Sequence, residues 1–95
     1  IQPMRYDVQE ARALSNEQID AHEQALHAWT ACYELDPTDP AMINYKIAFN
    51  LSKLGRLDEA RARVLMALEE TPRFLDALRL LKEIRNKQSE QANLK

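Results

Sequence analysis

The stretch Ala41–Pro72, AMINYKIAFNLSKLGRLDEARARVLMALEETP, decides the fold. It divides at Lys53-Leu54-Gly55-Arg56 into two amphipathic runs, and Gly55 is the only glycine in the chain. A glycine that closes one helical run and is followed at once by another is a helix C-cap signal, because it takes positive φ without steric cost. Asp58 and Glu59 then fall in the first turn of the second run, where their charge favours the positive end of the helix. Ala60 and Ala67 lie two turns apart on that helix, and Pro72 stops it.

Upstream, residues 6–35 hold neither glycine nor proline. Apolar or small residues at Val8, Ala11, Leu14, Ile19, Ala25, Leu26, Trp29, Cys32, Tyr33 and Leu35 recur with helical spacing. Ser15-Asn16 is the local stop signal, with Glu17 or Gln18 placed for a new first turn. This predicts a short helix at 6–14 and a longer one at 17–35; one continuous helix fits the spacing nearly as well. Residues 1–5, with Pro3, are expected to be loose.

An internal repeat runs through both parts. Ala25 and Ala60, Trp29 and Val64, Cys32 and Ala67, Glu34 and Glu69, and Pro37 and Pro72 are all 35 residues apart. Residues 22–37 thus read as the second helix of a preceding unit, ending in Leu35-Asp36-Pro37. Pro37 and Pro40 rule out a continuous helix through the next turn, and Asp39 is placed to cap a helix that begins at Pro40. After Pro72, the residues Phe74, Leu75, Leu78, Leu81 and Ile84 form one stripe, with Ala77 and Leu80 beside it. At an offset of 34, Ala77, Leu78 and Leu81 match Ile43, Asn44 and Ile47. Arg79, Lys82, Glu83 and Arg85 give this closing helix a polar outer side, and residues 88–95 lack periodicity and are expected to fray.

The pattern resembles the tetratricopeptide repeat, whose units of about 34 residues pair antiparallel helices. The resemblance is carried by Ile47-Ala48, Leu51, Leu54-Gly55, Asp58-Glu59-Ala60, Val64, Ala67 and Pro72. The sequence departs from the family at Asn44, often tryptophan there, and at Leu51, often tyrosine. It also has Val64 at a usual aromatic position. The resemblance implies an all-α fold of antiparallel helix pairs in a short right-handed superhelix. Residues 1–95 then form a single domain: a degenerate N-terminal repeat at 6–37, a complete repeat at 41–72, a closing helix at 73–87 and a tail at 88–95. Such units bury their faces only by stacking.

Little in the composition points to chemistry. One glycine excludes a glycine-rich phosphate loop. His22 and His27 are five apart, roughly 140° around a helix, and so cannot chelate one metal as an i, i+4 pair does. Cys32 is also five residues from His27, which places a cysteine–histidine nucleophile poorly. Alone on the apolar stripe of its helix, Cys32 reads as a small hydrophobe and leaves the redox compartment open. The expectation is a non-enzyme with no catalytic residue, no metal site and no cofactor.

A net charge of −2 gives no electrostatic attraction to nucleic acid. No apolar run approaches the roughly 20 residues of a membrane span. The charge is unevenly spread. Residues 1–40 hold two basic and eight acidic side chains, net −6, and residues 41–95 hold eleven and seven, net +4.

What remains is surface. Ile43, Ile47, Leu51 and Leu54 form the stripe that packs on 57–70, while Met42, Tyr45 and Phe49 form a second stripe on the same helix. Packing on the N-terminal or closing helix is one account of Tyr45 and Phe49. The other comes from the resemblance: the first helix of each pair lines a concave groove in that family. It implies that Met42, Tyr45 and Phe49 face the groove, flanked by Lys46 and Lys53, with Asp76, Arg79 and Glu83 in the matching places on the closing helix. Ser52 is implied to face the groove with them. The chaperone-tail clamp of some members uses lysine, asparagine and arginine at groove places; Tyr45, Phe49 and Asp76 here argue against that specificity. The expected function is a protein–protein interaction scaffold that binds a peptide or helix of a partner. The alternatives are self-association into a dimer or filament, and a repeat segment serving a larger multidomain protein.

Overall fold

The computed structural model describes residues 2–35 and 37–94. Five helices follow one another: α1 (Gln2–Gln18), α2 (His22–Glu34), α3 (Pro40–Lys53), α4 (Leu57–Glu70) and α5 (Leu75–Asn93). Each packs on the next, and α3 also touches α5. Side-chain bonds from α1 to α3 and from α3 to α5 place these three helices in one layer; α2 and α4 form the other. The radius of gyration is 13.7 Å, against about 12 Å for a compact chain of this length. The molecule is elongated, with extents of 50 × 29 × 18 Å.

The turns show why the helices end where they do. At the α3–α4 turn Gly55 has φ 78°. The Gly55 amide donates to the Ser52 carbonyl at 3.1 Å and the Arg56 amide to the Leu51 carbonyl at 2.9 Å, which closes the last turn as a Schellman motif does. The same construction recurs 35 residues earlier. Asp20 stands at the place of Gly55 with φ 58°, its amide donates to the Glu17 carbonyl at 3.1 Å, and the Ala21 amide donates to the Asn16 carbonyl at 2.8 Å. Aspartate is among the few residues that tolerate this left-handed conformation. The break between α1 and α2 therefore falls at 19–21, not at Ser15-Asn16, and α1 runs unbroken through both of those residues. It also takes in Gln2–Arg5, expected to be loose; Pro3 suits a first helical turn because its missing N–H would have no partner there.

Further along, Asp39 accepts from the Met42 amide at 3.1 Å with Pro40 at the helix start, as the sequence predicts. Asp36, in the same turn, lies outside the described residues. At the other end, α5 continues through residues 88–93, where the sequence predicts a fraying tail. These residues are mostly good helix formers, and Gln88 donates to Asp58 of the facing helix at 2.8 Å.

The core comes from alternate faces of all five helices: Ala13, Leu26, Trp29, Cys32, Ile43, Ile47, Leu51, Val64, Ala67, Leu81 and Ile84 are buried. On α5 the buried set is Ala77, Leu80, Leu81 and Ile84, so the helix is rotated relative to the predicted stripe, and Leu75 and Leu78 face outward. Cys32 is fully buried, and burial, then the charge of Glu10, pushes its thiol up to about 11.

Gly55→Ala forces a side chain into the left-handed region with no clash to relieve, since open space surrounds the position. It should cost about 1–2 kcal/mol, read as a lower urea midpoint. Cys32 is a neutral thiol at pH 7, so the native protein should react with a thiol-alkylating reagent far more slowly than the same protein in denaturant.

Candidate partner-binding surface

A depression of about 390 Å³ opens between α1 and α3, lined by Leu14, Glu17, Gln18, Tyr45, Lys46 and Phe49. Its floor is held by a polar cluster. Oε2 of Glu17 accepts from Trp29 Nε1 at 2.8 Å and from Asn50 Nδ2 at 2.8 Å. Lys46 Nζ lies 3.5 Å from Oε1 of the same carboxylate. Asn50 Nδ2 also donates to the Lys46 carbonyl at 2.9 Å. With its amide group donating to both, Asn50 offers only Oδ1 to His22, so His22 Nδ1 is the donor in that 2.9 Å bond. Asn50 is fully buried, and the cluster leaves none of its buried polar atoms without a partner.

The aromatic rings lie over this cluster. Phe49 meets the His22 ring edge-on at 6.0 Å, and Lys53 Nζ stands 5.4 Å over the centre of Phe49. Tyr45 tilts against Phe74 at 5.1 Å. Both rings are half-buried. Burial, then the charges of Asp76, Glu83 and Glu17, push the Tyr45 hydroxyl above its ordinary range, so it remains a neutral hydrogen-bonding group at pH 7.

Of the residues singled out in the sequence, Tyr45, Lys46 and Phe49 come together in the depression. Met42 is exposed on the same helix, and Lys53 stands at its end. Asp76 and Glu83 are exposed on α5 near Tyr45, and Arg79 pairs with Asp76 at 3.5 Å. Lys46 is less available than its charge suggests, because it is paired with Glu17 and lies 5.8 Å over the Trp29 ring. Ser52 does not face the groove: it is buried, with Lys87 Nζ 3.4 Å from its hydroxyl.

Leu14, Glu17, Gln18 and Asn50 are the residues the sequence did not reveal as part of this surface. Asn50 follows Ile43 and Ile47 along the core-facing side of α3, a polar residue where an apolar one is expected. That is the one signal that it is satisfied from another helix. A second, larger cleft of about 500 Å³ lies between α2 and α4 over Ile47 and Leu51. Much of its charged rim is already paired internally, Arg56 with Glu59 at 2.8 Å and with Glu23 at 3.9 Å. Its lining holds no tryptophan, tyrosine or phenylalanine.

Glu17→Ala removes the acceptor for both Trp29 and Asn50. It should cost about 1–3 kcal/mol. In a domain of this size each kcal/mol lowers the thermal midpoint by about 4–8 °C. An unchanged midpoint would show that water replaces the carboxylate without loss.

No family model matches the sequence, and no curated protein does. Among solved structures, the chain is similar to the C-terminal TPR-containing domain of a Plasmodium falciparum protein described as an FK506-binding protein, with a TM-score of 0.85 at 17% identity. The similarity covers 97% of this chain and 60% of that one, so the chain spans under two thirds of the length of the structure it matches. At this identity the likeness concerns the fold. The paired helices, the recurring turn and this match agree: the chain has the tetratricopeptide-repeat-like fold.

Proposed function

We propose that the chain is a protein-interaction module that binds a peptide or helix of a partner protein across α1, α3 and the start of α5. The observation that carries this reading is the depression between Leu14, Tyr45 and Phe49. Apolar surface there is left accessible above a floor made rigid by hydrogen bonds. Leu14 and Met42 are 45% and 38% exposed, and neither lies in the core. A tilted tyrosine and a phenylalanine beside an exposed leucine suit an apolar anchor side chain, and aromatic residues held in place give much contact area at small entropic cost. In repeats of this fold this layer faces the concave side, which adds support by analogy.

Charge supplies orientation. Lys53 stands at one end of the surface and Glu83 with Asp76 near the other; Arg79 is taken up by Asp76 and Lys46 by Glu17. Lys53, which forms no ion pair among the described residues, and Glu83 near Tyr45 therefore orient a partner better than the three cations Lys46, Lys53 and Arg79 acting together.

The test is selection of binders from a random peptide library on the intact chain. Leu14→Glu, an exposed change outside the core, should weaken a selected peptide at least about tenfold, or about 1.4 kcal/mol. Tyr45→Ala with Phe49→Ala should abolish binding, with some loss of stability because these rings touch Phe74 and His22. Helicity by circular dichroism should persist. Selected peptides that bind both variants as well as the parent would sink the proposal, as would the absence of any binder.

A further inference from the structure

One level of the layer formed by α1, α3 and α5 carries hydrogen-bond donors and no acid. Gln18 and Lys53 are the last residues of α1 and α3, 35 residues apart, and Lys87 follows 34 residues later on α5. Lys87 Nζ lies 3.4 Å from Oγ of Ser52, which brings it to the same end of α3 as Lys53. Lys53 Nζ in turn stands 5.4 Å over the Phe49 ring. One turn back from Gln18 and Lys53 are Leu14 and Phe49, which line the depression between α1 and α3.

The two lysines have no acid of their own. Neither forms an ion pair among the described residues. The acids around them are otherwise placed. Glu17 is engaged by Trp29, Asn50 and Lys46. Asp20 lies beside His22 at 3.8 Å. Glu83 stands one turn before Lys87 and acts on Tyr45.

A cation in the last turn complements the negative end of its helix, which accounts for Lys53. It does not account for Lys87, six residues before the end of α5 at Asn93. Lys87 is also half-buried. A partly desolvated ammonium that meets a neutral hydroxyl has most to gain from a charged acceptor.

We propose that this level takes the carboxylates of an acidic segment in the partner, which makes the ligand an acidic peptide with an apolar anchor. This rests on the partner-binding surface proposed above and names the chemistry of its occupant. The peptide seats an apolar side chain between Leu14 and Phe49 and places two acidic side chains beside it, one on Lys53 and one on Lys87. Because α3 and α5 touch, their axes lie about 8–10 Å apart. Residues three apart in an extended peptide span about 10 Å, so the two acids are spaced i, i+3. On the α1 side, Gln18 offers its amide to the peptide backbone. The contact differs from the chaperone-tail clamp, whose places hold Tyr45, Phe49 and Asp76.

The experiment screens two peptide libraries on the intact chain. Both have random apolar centres; one is flanked by glutamates and the other by lysines. Binders should come from the glutamate library. Lys53→Glu with Lys87→Glu should weaken them at least about tenfold, and Lys53→Glu alone, a change at an exposed residue, at least about threefold. Circular dichroism should show both variants as helical as the parent. Replacing the two peptide glutamates by lysine should make a binder prefer the doubly reversed variant over the parent. In about 1 M salt, where the screening length is about 3 Å, the difference between parent and variant should shrink. Binders that come only from the lysine library overturn the proposal. So do glutamate peptides that bind both variants as they bind the parent. If those same peptides are weakened by Leu14→Glu, the partner-binding surface stands and only its acidic specificity falls. Absence of binders from both libraries overturns the two readings together.

Discussion

One carboxylate joins three of the five helices. Glu17 leaves α1 near its end and receives the Trp29 indole from α2 and the Asn50 amide from α3. Trp29 is almost fully buried, and its N–H needs an acceptor in a place where water does not reach freely. Asn50 is deeper still and spends its remaining oxygen on His22. Apolar packing alone leaves adjacent helices free to slide by small amounts. A set of directional bonds with short distances fixes one rotation of α1 against α3, and that rotation determines whether a depression exists between Leu14 and Phe49.

The two ends of the stack are built differently. At the α1 end, side-chain hydrogen bonds reach past the neighbouring helix. At the α5 end, contact is mainly apolar, through Ala77, Leu80, Leu81 and Ile84, with Gln88 and Lys87 adding polar ties to α4 and α3. The closing helix thus covers the flank of the last pair with one face and leaves a mixed apolar and basic face outward. A fully polar outer face is the usual way a helical array ends in water; Leu75 and Leu78 depart from it.

How far the sequence could be read depended on whether a residue's role is local. Gly55, Asp39 and Pro40 restrict their own backbone or bond a near neighbour, and the helix boundaries they predict agree with the structure. Asp20 performs the same service as Gly55, but aspartate is common and reaches the left-handed region only when its surroundings demand it. Extending the 35-residue offset back to position 20 is what singles it out. Glu17 looks like an ordinary first-turn charge, because Trp29 and Asn50, which define its role, arrive from other helices. Leu75 and Leu78 have the right period for a core stripe. Only the position of α4 shows that the core turns toward Ala77 and Leu80, with Leu81 and Ile84 the part of the predicted stripe that stays buried.

The order of contacts has a consequence for how the molecule comes apart. Each helix is supported chiefly by its neighbours in the chain, with α3 in the middle tied to all four others. In such a stack stability is close to a sum of local terms, and the termini can open while the centre stays intact. Loss of structure then spreads inward from α1 and α5 toward α3. A single unfolding free energy would average over these steps, and probes placed at different helices would report different midpoints.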